Sequence, residues 1–347
     1  GGILRTVEKC NGSGDCRKLN FAGGTMCPSY RATLDEKDST RGRANVLREF
    51  LTQNTKKNPF NHPEIKQALE LCISCKGCKS ECPSNIDMAT LKAEFQYQYN
   101  KSHKINLRTK LVAHNAKVNS IASKFPSIHN YFTKQNWFKS SLGIAKERNL
   151  PLLYKHTFRK WYKNFNQKDF KKKVYLFCDE NTNYYDVEIG ITAVKLLNVL
   201  GYKVILLNHR ESGRTYISKG FLDHAKAIAQ TNISIFKDVI TFKTPLIGLE
   251  PSTILTFRDE YINLVSNEFK ETAKNLAKHV LIFDEFIVRE INKGLIDKEI
   301  FTTTPQKVLF HGHCHQKALS SSKFTKEILS LPKNYVVEEI ASGCCGM

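Results

Sequence analysis

The chain has 347 residues, of which 41% are hydrophobic, and this length and composition allow two or three globular domains with sizeable cores. Its net charge of +20 favours anionic partners. No stretch approaches eighteen consecutive apolar residues, so we expect no membrane span. The chain starts with neither an initiator Met nor a signal peptide, so we expect a fragment of a protein from a reduced, cytoplasmic compartment.

The first cysteine group lies near the N-terminus. Cys10 and Cys16 are followed by Cys27 and a proline, with Ser13 where a ferredoxin run would have its second cysteine. Between this group and the next, the sequence predicts a helix over 38–54, capped by Ser39 or Thr40. Further helices are predicted over 63–71 and 86–98, so that residues 1–100 form a mainly helical module.

The second cysteine group is a tight run in which Cys72, Cys75, Cys78 and Cys82 are separated by two, two and three residues and are followed by Pro83. This spacing is typical of proteins with two iron–sulfur clusters, where three thiolates of a run bind one cluster and the fourth binds the other. Exchanging fourth ligands between the two groups predicts one complete 4Fe-4S set and one incomplete set: Cys27, Cys72, Cys75 and Cys78, and Cys10, Cys16 and Cys82.

The incomplete set leaves three alternatives open. An oxygen or nitrogen ligand near Ser13 could complete a 4Fe-4S cluster, the site could hold a three-iron cluster, or it could hold none. Arg41 and Arg43 lie between the two cysteine groups and are candidate hydrogen-bond donors to cluster sulfur or to a negatively charged neighbour. The alternative is that they are ordinary charged residues at a helix terminus. Structural zinc and disulfides are the competing interpretations, but three cysteines at every third residue before a Cys-Pro favour iron–sulfur ligation.

Residues 101–172 form a basic segment, which we expect to be a helical connector. Between Lys101 and Lys173 there are 18 Lys and Arg residues and only two acidic residues, and aromatic side chains are interspersed among them. This composition suits an acidic redox partner or an anionic membrane surface. No nucleic-acid-binding motif accompanies the charge, so we do not expect nucleic acid as a partner.

From residue 173 to the end, strand and helix patterns alternate. Strands are predicted over 173–178, 203–207, 246–249, 280–283, 308–310 and 335–340, with helices that include 187–201 and 218–230. This alternation predicts an α/β domain with a largely parallel sheet. The glycine fingerprint of dinucleotide-binding proteins is absent, so a nicotinamide site is not expected. Overall the fold class is α+β, in several domains: 1–100, 101–172 and 173–347.

A third cysteine group follows the last two predicted strands. Cys314 lies in a His-Gly-His-Cys-His segment after one strand, and Cys344 and Cys345 begin a Cys-Cys-Gly after the other. The carboxyl ends of strands are where open α/β sheets place ligand sites. These three cysteines are therefore candidate metal ligands or redox thiols, whereas the isolated Cys178 is predicted to be a small buried residue.

With these three cysteine groups the chain resembles a known family, the iron–sulfur portion of FAD-linked D-2-hydroxy-acid oxidases and dehydrogenases. That family includes D-lactate and D-2-hydroxyglutarate dehydrogenases, and it is related to the iron–sulfur subunits of glycolate oxidase and anaerobic glycerol-3-phosphate dehydrogenase. The matching segments span nearly the whole chain: 10–16, 24–30, 39–45, the run from Cys72, 182–186, 248–252, 311–316 and 343–346.

The resemblance implies an electron-transfer module within an oxidoreductase. An upstream FAD domain or subunit would oxidise the hydroxy acid, which is lactate, 2-hydroxyglutarate or glycolate. The clusters would pass electrons to a quinone or an electron carrier, in the cytoplasm or peripherally on the inner face of the cell membrane.

The sequence departs from the family pattern in the Cys-Cys-Gly domain, which is often a tandem repeat and is shared with heterodisulfide reductase. The first copy has Glu211-Ser212-Gly213 and Thr253 where cysteines are expected, so it is predicted to keep the fold without ligation. The second copy stops soon after Cys345, and we expect it to be truncated. Two alternatives stay open: a thiol or disulfide reductase that acts at Cys314, Cys344 and Cys345, and a zinc-stapled basic binding protein.

Overall fold

The computed structural model describes residues 2–19 and 22–344 of the chain. It is about 52% helical with a small parallel sheet, which confirms the coarse α+β expectation. The chain divides into two compact units, one made of Gly1–Lys104 together with Ile287–Met347 and the other of Ile105–Phe286. The predicted domain boundaries at residues 100 and 172 stay a prediction. The two compact units are divided instead after Lys104 and after Phe286.

The N-terminal part of the first unit is helical, as predicted. Ser39 is the cap of the helix between the cysteine groups, since its hydroxyl accepts the backbone N–H of Gly42 at 2.9 Å. Pro63 begins the next helix, where its missing N–H costs nothing. The helices are α1 (Gly2–Val7), α2 (Pro28–Thr33), α3 (Thr40–Thr52), α4 (Pro63–Glu70), α5 (Gly77–Glu81) and α6 (Met88–Asn100), with a 3₁₀ turn at Glu36–Asp38.

The core of this part contains cysteines as well as ordinary apolar side chains. Leu47, Ile65 and Phe95 are fully buried and belong to the same cluster of side chains as Cys27 and Cys78. Helices α3, α4 and α6 contact one another around this cluster. The cysteines therefore lie in the hydrophobic centre of the module, and a bound group there would form part of its core.

Most of the basic segment, from Ile105 onward, lies in the second unit and contains short helices. Its role as a connector stays a prediction. Its short helices are α7 (Leu107–Ala113), α8 (Asn115–Ala122), α9 (Pro126–Lys134), α10 (Asn136–Ser141) and α11 (Phe158–Lys163). Within the described part of the chain, no helix has the length and apolar character needed to cross a bilayer.

The second unit is built around a four-stranded parallel sheet in the order β2-β1-β3-β4. Val174 and Leu176 of the first strand are fully buried, which is usual for a strand covered on both faces. The strands are β1 (Lys172–Phe177), β2 (Tyr202–Ile205), β3 (Leu246–Gly248) and β4 (Val280–Ile282). The helices are α12 (Glu180–Tyr184), α13 (Val187–Val199), α14 (Arg214–Ser218), α15 (Leu222–Phe236), α16 (Pro251–Ile254), α17 (Glu260–Leu264) and α18 (Asn267–Ala277), with a 3₁₀ turn at Leu255–Phe257. The helix α19 (Phe283–Asn292) includes the residue at which this unit ends, Phe286.

One helix differs from its prediction. The segment 218–230 was expected to be continuous, but α14 ends at Ser218 and α15 begins at Leu222. Gly220 lies between them with φ +71°, a backbone conformation that ends the first helix and that glycine adopts without a steric penalty.

The last two predicted strands form a sheet of their own in the first unit. The strands β5 (Gln306–Phe310) and β6 (Tyr335–Glu339) are parallel and paired from Gln306 with Tyr335 to Phe310 with Glu339. They are accompanied by α20 (Cys314–Leu319), α21 (Lys323–Leu329) and a 3₁₀ turn at Lys298–Ile300. The largely parallel pairing was predicted, whereas the separation of the six strands into two sheets was not.

Candidate iron–sulfur centre

The four cysteines of the predicted complete set line one cavity in the first unit. Cys27 stands immediately before α2, and Cys75 and Cys78 flank the first turn of α5. Gly77 permits the tight approach of these two segments, because a Cβ atom at that position would lie 3.0 Å from the backbone nitrogen of Met26. The fold thus brings together thiols that are 45 residues or more apart in sequence.

Burial controls the acidity of these thiols. It raises the pKa of Cys75 to about 12, and the neighbouring Cys72 and Cys27 add to the effect. Burial likewise raises the pKa of Cys78 well above its usual value. Without a bound cation Cys75 and Cys78 are therefore neutral thiols at neutral pH. A metal core in this cavity would supply the positive charge that stabilises thiolates. Four soft sulfur donors in one enclosed cavity fit a 4Fe-4S cluster.

Hydrogen-bond donors surround the complete set. Arg43 is completely buried, and its Nη1 lies 3.5 Å from the Cys27 sulfur. The same side chain donates from Nε to the Ala68 carbonyl at 2.8 Å and pairs with Asp38, whose Oδ1 lies 3.6 Å from Nη2. The backbone N–H of Met88 donates to the Cys78 sulfur at 3.3 Å. Donors to ligand sulfur stabilise the more negative, reduced state of a cluster, so these groups would raise its reduction potential.

Sequence reasoning missed Lys76, which is only 1% exposed although it lies between two cysteines of the run. Its ammonium group donates to Asp87 at 2.9 Å and to the Thr90 hydroxyl at 3.3 Å. Burial opposes ionisation of Asp87, but the charge and hydrogen bond of Lys76, the Thr90 backbone N–H and the charge of Lys79 together outweigh it and lower the pKa of that carboxyl. The run thus has a buried cation beside its turn. The burial of Lys76 and its pairing with Asp87 distinguish it from a surface lysine, and no local pattern in the sequence shows either feature.

The incomplete set is brought together less tightly. Cys16 is buried, and its sulfur accepts the backbone N–H of Arg41 at 3.3 Å. Cys10 and Cys82 pack against the same core from partly exposed positions. Ser13 is exposed, and its backbone N–H donates to the Asn11 side chain at 3.1 Å. The fourth ligand of this set, and the set itself, stay predictions.

Arg41 and Arg43 differ in their surroundings. Arg41 is partly exposed and pairs with Glu36 at 2.8 Å, while Nη1 donates to the Gly12 carbonyl at 3.0 Å. The hydrogen bond from the Arg41 side chain lowers the pKa of Glu36. Of the two predicted donors, Arg43 contacts a cysteine sulfur with its side chain and Arg41 does so with its backbone.

The third cysteine group also lies in the first unit. Cys314 begins α20, and its thiol is hydrogen-bonded to that of Cys344, which follows β6. This bond and burial raise the pKa of Cys314 above its usual range. Cys75 interacts electrostatically with Cys314 and with Cys344, so the three thiols lie near one another. Cys345 lies outside the described residues. The second and third cysteine groups therefore meet at one end of the two-stranded sheet.

The first copy of the Cys-Cys-Gly pattern lies in the second unit, at the carboxyl ends of β1 and β2. Cys178 is buried, as predicted, and borders a polar cavity with Arg159 and His209. The His209 Nε2 atom accepts from the Cys178 backbone N–H and from Arg159, each at 3.0 Å. Burial, with a contribution from Arg159, lowers the pKa of His209 to about 3, so the ring is neutral at neutral pH.

The residues that replace the expected cysteines make hydrogen bonds within this unit. The backbone N–H and the hydroxyl of Ser212 both donate to Glu180, at 3.0 and 2.6 Å. The backbone N–H of Thr253 donates to Glu250 at 2.6 Å. These contacts stabilise the loops, and the loss of metal ligation in this copy stays a prediction.

Comparison with known proteins agrees with the cysteine geometry. Residues 9–87 match the family described as 4Fe-4S dicluster domain. The match includes all seven cysteines of the first two groups, and it supports a 4Fe-4S cluster in this chain. No solved structure matches the chain.

Curated relatives cover most of the chain. D-2-hydroxyglutarate dehydrogenase of Pantoea ananatis is 25% identical over 99% of the chain and 37% of its own length. A subunit of the anaerobic glycerol-3-phosphate dehydrogenase of Escherichia coli K12 is 27% identical over 76% of the chain and 67% of its own length. The probable glycolate oxidase iron-sulfur subunit of Bacillus subtilis 168 is 21% identical over 96% of the chain and 78% of its own length.

The chain thus spans about 37% of the length of the D-2-hydroxyglutarate dehydrogenases that it matches. The relatives differ in size and in the substrate that their names give, but all are named as dehydrogenases, oxidases or their subunits. Residues 9–87 match the 4Fe-4S dicluster domain family, and the chain is similar to the iron–sulfur portion of such enzymes.

Proposed function

We propose that this chain is the electron-transfer module of an FAD-dependent D-2-hydroxy-acid dehydrogenase. The observation that carries the proposal is the buried cavity lined by Cys27, Cys72, Cys75 and Cys78. These thiolates hold a 4Fe-4S cluster, and a second cluster lies at Cys10, Cys16 and Cys82. Arg43 and the backbone N–H groups of Arg41 and Met88 set the potentials through their bonds to sulfur.

The proposed partners follow from this role. An FAD-binding domain or subunit oxidises a hydroxy acid such as lactate, 2-hydroxyglutarate or glycolate, and the clusters pass single electrons to a quinone or an electron carrier. The module itself needs no acid–base residue, because binding, burial and hydrogen bonding of the clusters suffice for electron transfer. Its architecture is a ferredoxin-like helical module followed by an α/β Cys-Cys-Gly region, working on the cytoplasmic side of the cell membrane.

Metal analysis of anaerobically purified protein tests this function. We expect about eight irons with equal acid-labile sulfide per chain, and two interacting paramagnetic signals after reduction with dithionite. About four irons with one signal would restrict electron transfer to the complete set. Colourless protein without iron would refute the proposal.

The surface of α7–α10 supports docking to an anionic membrane. Residues 107–141 contain six Lys and Arg residues and no acidic residue. Tyr131, Phe132 and Trp137 are exposed and in ring contact, with centroids 5.6 Å apart for the first two and 6.0 Å for the last two. Ile128 is exposed one turn before Phe132 on the same helix. Aromatic side chains flanked by cations suit the interface of an anionic bilayer.

Vesicle sedimentation tests this surface. Changing Phe132 and Trp137 together to serine should weaken binding to vesicles that contain phosphatidylglycerol about tenfold or more, because their apolar area is no longer buried in the interface. Val199→Ser, which alters an exposed apolar residue on α13, is the matched control and should have no effect. Binding that is equal on neutral and anionic vesicles, or unchanged in the double variant, would contradict the docking proposal.

A further inference from the structure

The carboxylate of Glu81 joins the second cysteine group to the segment that precedes Cys27. Glu81 is the last residue of α5, the short helix that carries Cys78. Its Oε1 accepts the backbone N–H of Thr25 at 2.5 Å, and its Oε2 accepts the backbone N–H of Met26 at 3.2 Å. Two consecutive N–H groups just before a candidate ligand are therefore bonded to one side chain, which lies 55 residues after Met26 in the sequence.

The backbone before Cys27 leaves room for this carboxylate. Gly24 has φ +84°, a conformation that glycine adopts without a steric penalty. A Cβ atom at Gly24 would overlap the Glu81 carboxylate and would lie 2.9 Å from Nζ of Lys18. A larger residue at position 24 would therefore displace Glu81 from the two N–H groups that it accepts.

Arg31 holds the same segment by its carbonyl groups. Its Nη2 donates to the carbonyl oxygens of Gly23, Gly24 and Met26 at 3.0, 3.1 and 3.3 Å. Residues 22–26 belong to no helix or strand, so side chains supply the hydrogen bonds that regular structure would otherwise give. An anion thus bonds the N–H groups of this segment and a cation bonds its carbonyl groups, and charge strengthens both kinds of bond.

The Glu81 carboxylate is partly shielded from water. Its side chain is 21% exposed, and Lys18 pairs with Oε2 at 2.8 Å. Hydrogen bonds to a charged acceptor are stronger where little water competes for it, and an N–H group that loses such an acceptor is costly to leave unpaired. The position of the segment therefore depends on this one carboxylate more than on a typical surface contact.

We propose that Glu81 is the positioning residue for Cys27, the ligand that the complete set takes from the first cysteine group. Through Thr25 and Met26, it fixes the peptide before Cys27 against the helix that carries Cys78, so that both thiols face one cavity. The inference rests on the proposed function, since Cys27 needs this exact position only as a cluster ligand. Glu81 is not itself a ligand, because both of its oxygens accept N–H groups of the segment.

Hydrogen–deuterium exchange on the anaerobic full chain, followed by mass spectrometry, tests these contacts. In Glu81→Gln the amide has one acceptor oxygen in place of two, so the peptide over residues 22–31 should exchange about tenfold faster or more. Glu70→Gln is the matched control, because Glu70 is exposed and is the last residue of α4, two residues before Cys72. It should exchange like the wild type. Unchanged exchange in Glu81→Gln would overturn the inference.

Iron release tests whether the segment positions a ligand. With a ferrous chelator in anaerobic buffer, Glu81→Gln should lose the iron of the complete set about tenfold faster or more than the wild type, because Cys27 is no longer held beside its partners. The paramagnetic signal that Cys75→Ser removes should weaken in the same variant. Lys18→Met removes the ion pair but leaves both backbone N–H bonds, so its iron should be released at about the wild-type rate.

The outcomes separate this inference from the proposed function. Equal iron release from Glu81→Gln and an iron-containing wild type would overturn the inference alone, and so would a release from Lys18→Met as fast as that from Glu81→Gln. A wild-type chain without iron would refute the proposed function and, with it, the inference. Fast release confined to Glu81→Gln would support both.

Discussion

Replacing Cys75 with serine should remove about four irons and one of the two paramagnetic signals, because the complete set would then have three thiolates in a buried cavity. The visible absorbance of the anaerobic protein should fall by roughly half. Iron and sulfide analysis together with paramagnetic resonance measures the change. The effect should be large because Cys75 is buried. The other cysteines among the described lining residues are Cys27, Cys72 and Cys78, which are already ligands of the same set, so none of them can replace it.

Cys178→Ser is the control for this experiment. Cys178 is buried like Cys75 but belongs to the second unit and does not line the cavity of the complete set. Its variant should keep all the iron and both signals. Equal iron contents in the Cys75 variant and the wild type would show that Cys75 binds no cluster, and iron loss in both variants would indicate general unfolding.

Changing Arg43 to methionine should lower the free energy of unfolding by about 3–5 kcal/mol. The change leaves the buried Asp38 carboxylate without its ionic partner and removes the hydrogen bond to the Ala68 carbonyl. It also removes the donor to the Cys27 sulfur, so the potential of the nearby cluster should shift to a lower value. Anaerobic denaturant titration and a redox titration measure the two effects separately.

Arg48→Met is the matched control, since Arg48 lies on the same helix, is exposed and bonds only the Asn45 side chain among the contacts described for it. We expect a change within about 0.5 kcal/mol there. A second change, Asp38→Asn, in the Arg43 variant should recover part of the lost stability, because it removes the unpaired charge. A stable Arg43→Met protein with an unchanged potential would show that the buried guanidinium has neither role.

Local signals in the sequence predicted most of the helices. Ser39 before a polar and apolar pattern, Pro63 at a helix start and the glycines near helix ends each act within one turn, so they can be read without knowledge of the fold. The cysteine spacing is also a local signal, since Cys75 and Cys78 belong to a single turn of neighbouring residues. The structure places the predicted complete set in one cavity, and metal ligation itself stays a prediction.

Long-range features were out of reach of such signals. The division of the six strands between two sheets depends on which strand edges meet, and single strands of similar composition do not encode that choice. The burial of Lys76 depends on its pairing with Asp87, eleven residues away. Cys314 and Cys344 were visible in the sequence, but the hydrogen bond between them requires the parallel pairing of β5 with β6.

The cavity formed by Cys27 and the run from Cys72 has a consequence for the lifetime of the protein. A cluster bound there would join two segments about 45 residues apart, as a covalent cross-link does. Because such a link restricts the unfolded chain, loop-closure entropy alone would stabilise the folded state by about 4 kcal/mol. Oxidative destruction of the cluster would open this loop and leave buried thiols without a partner in the core. Loss of the cluster to oxygen would then destabilise the fold and expose the chain to proteases. A module that can no longer carry electrons would therefore also be degraded fastest.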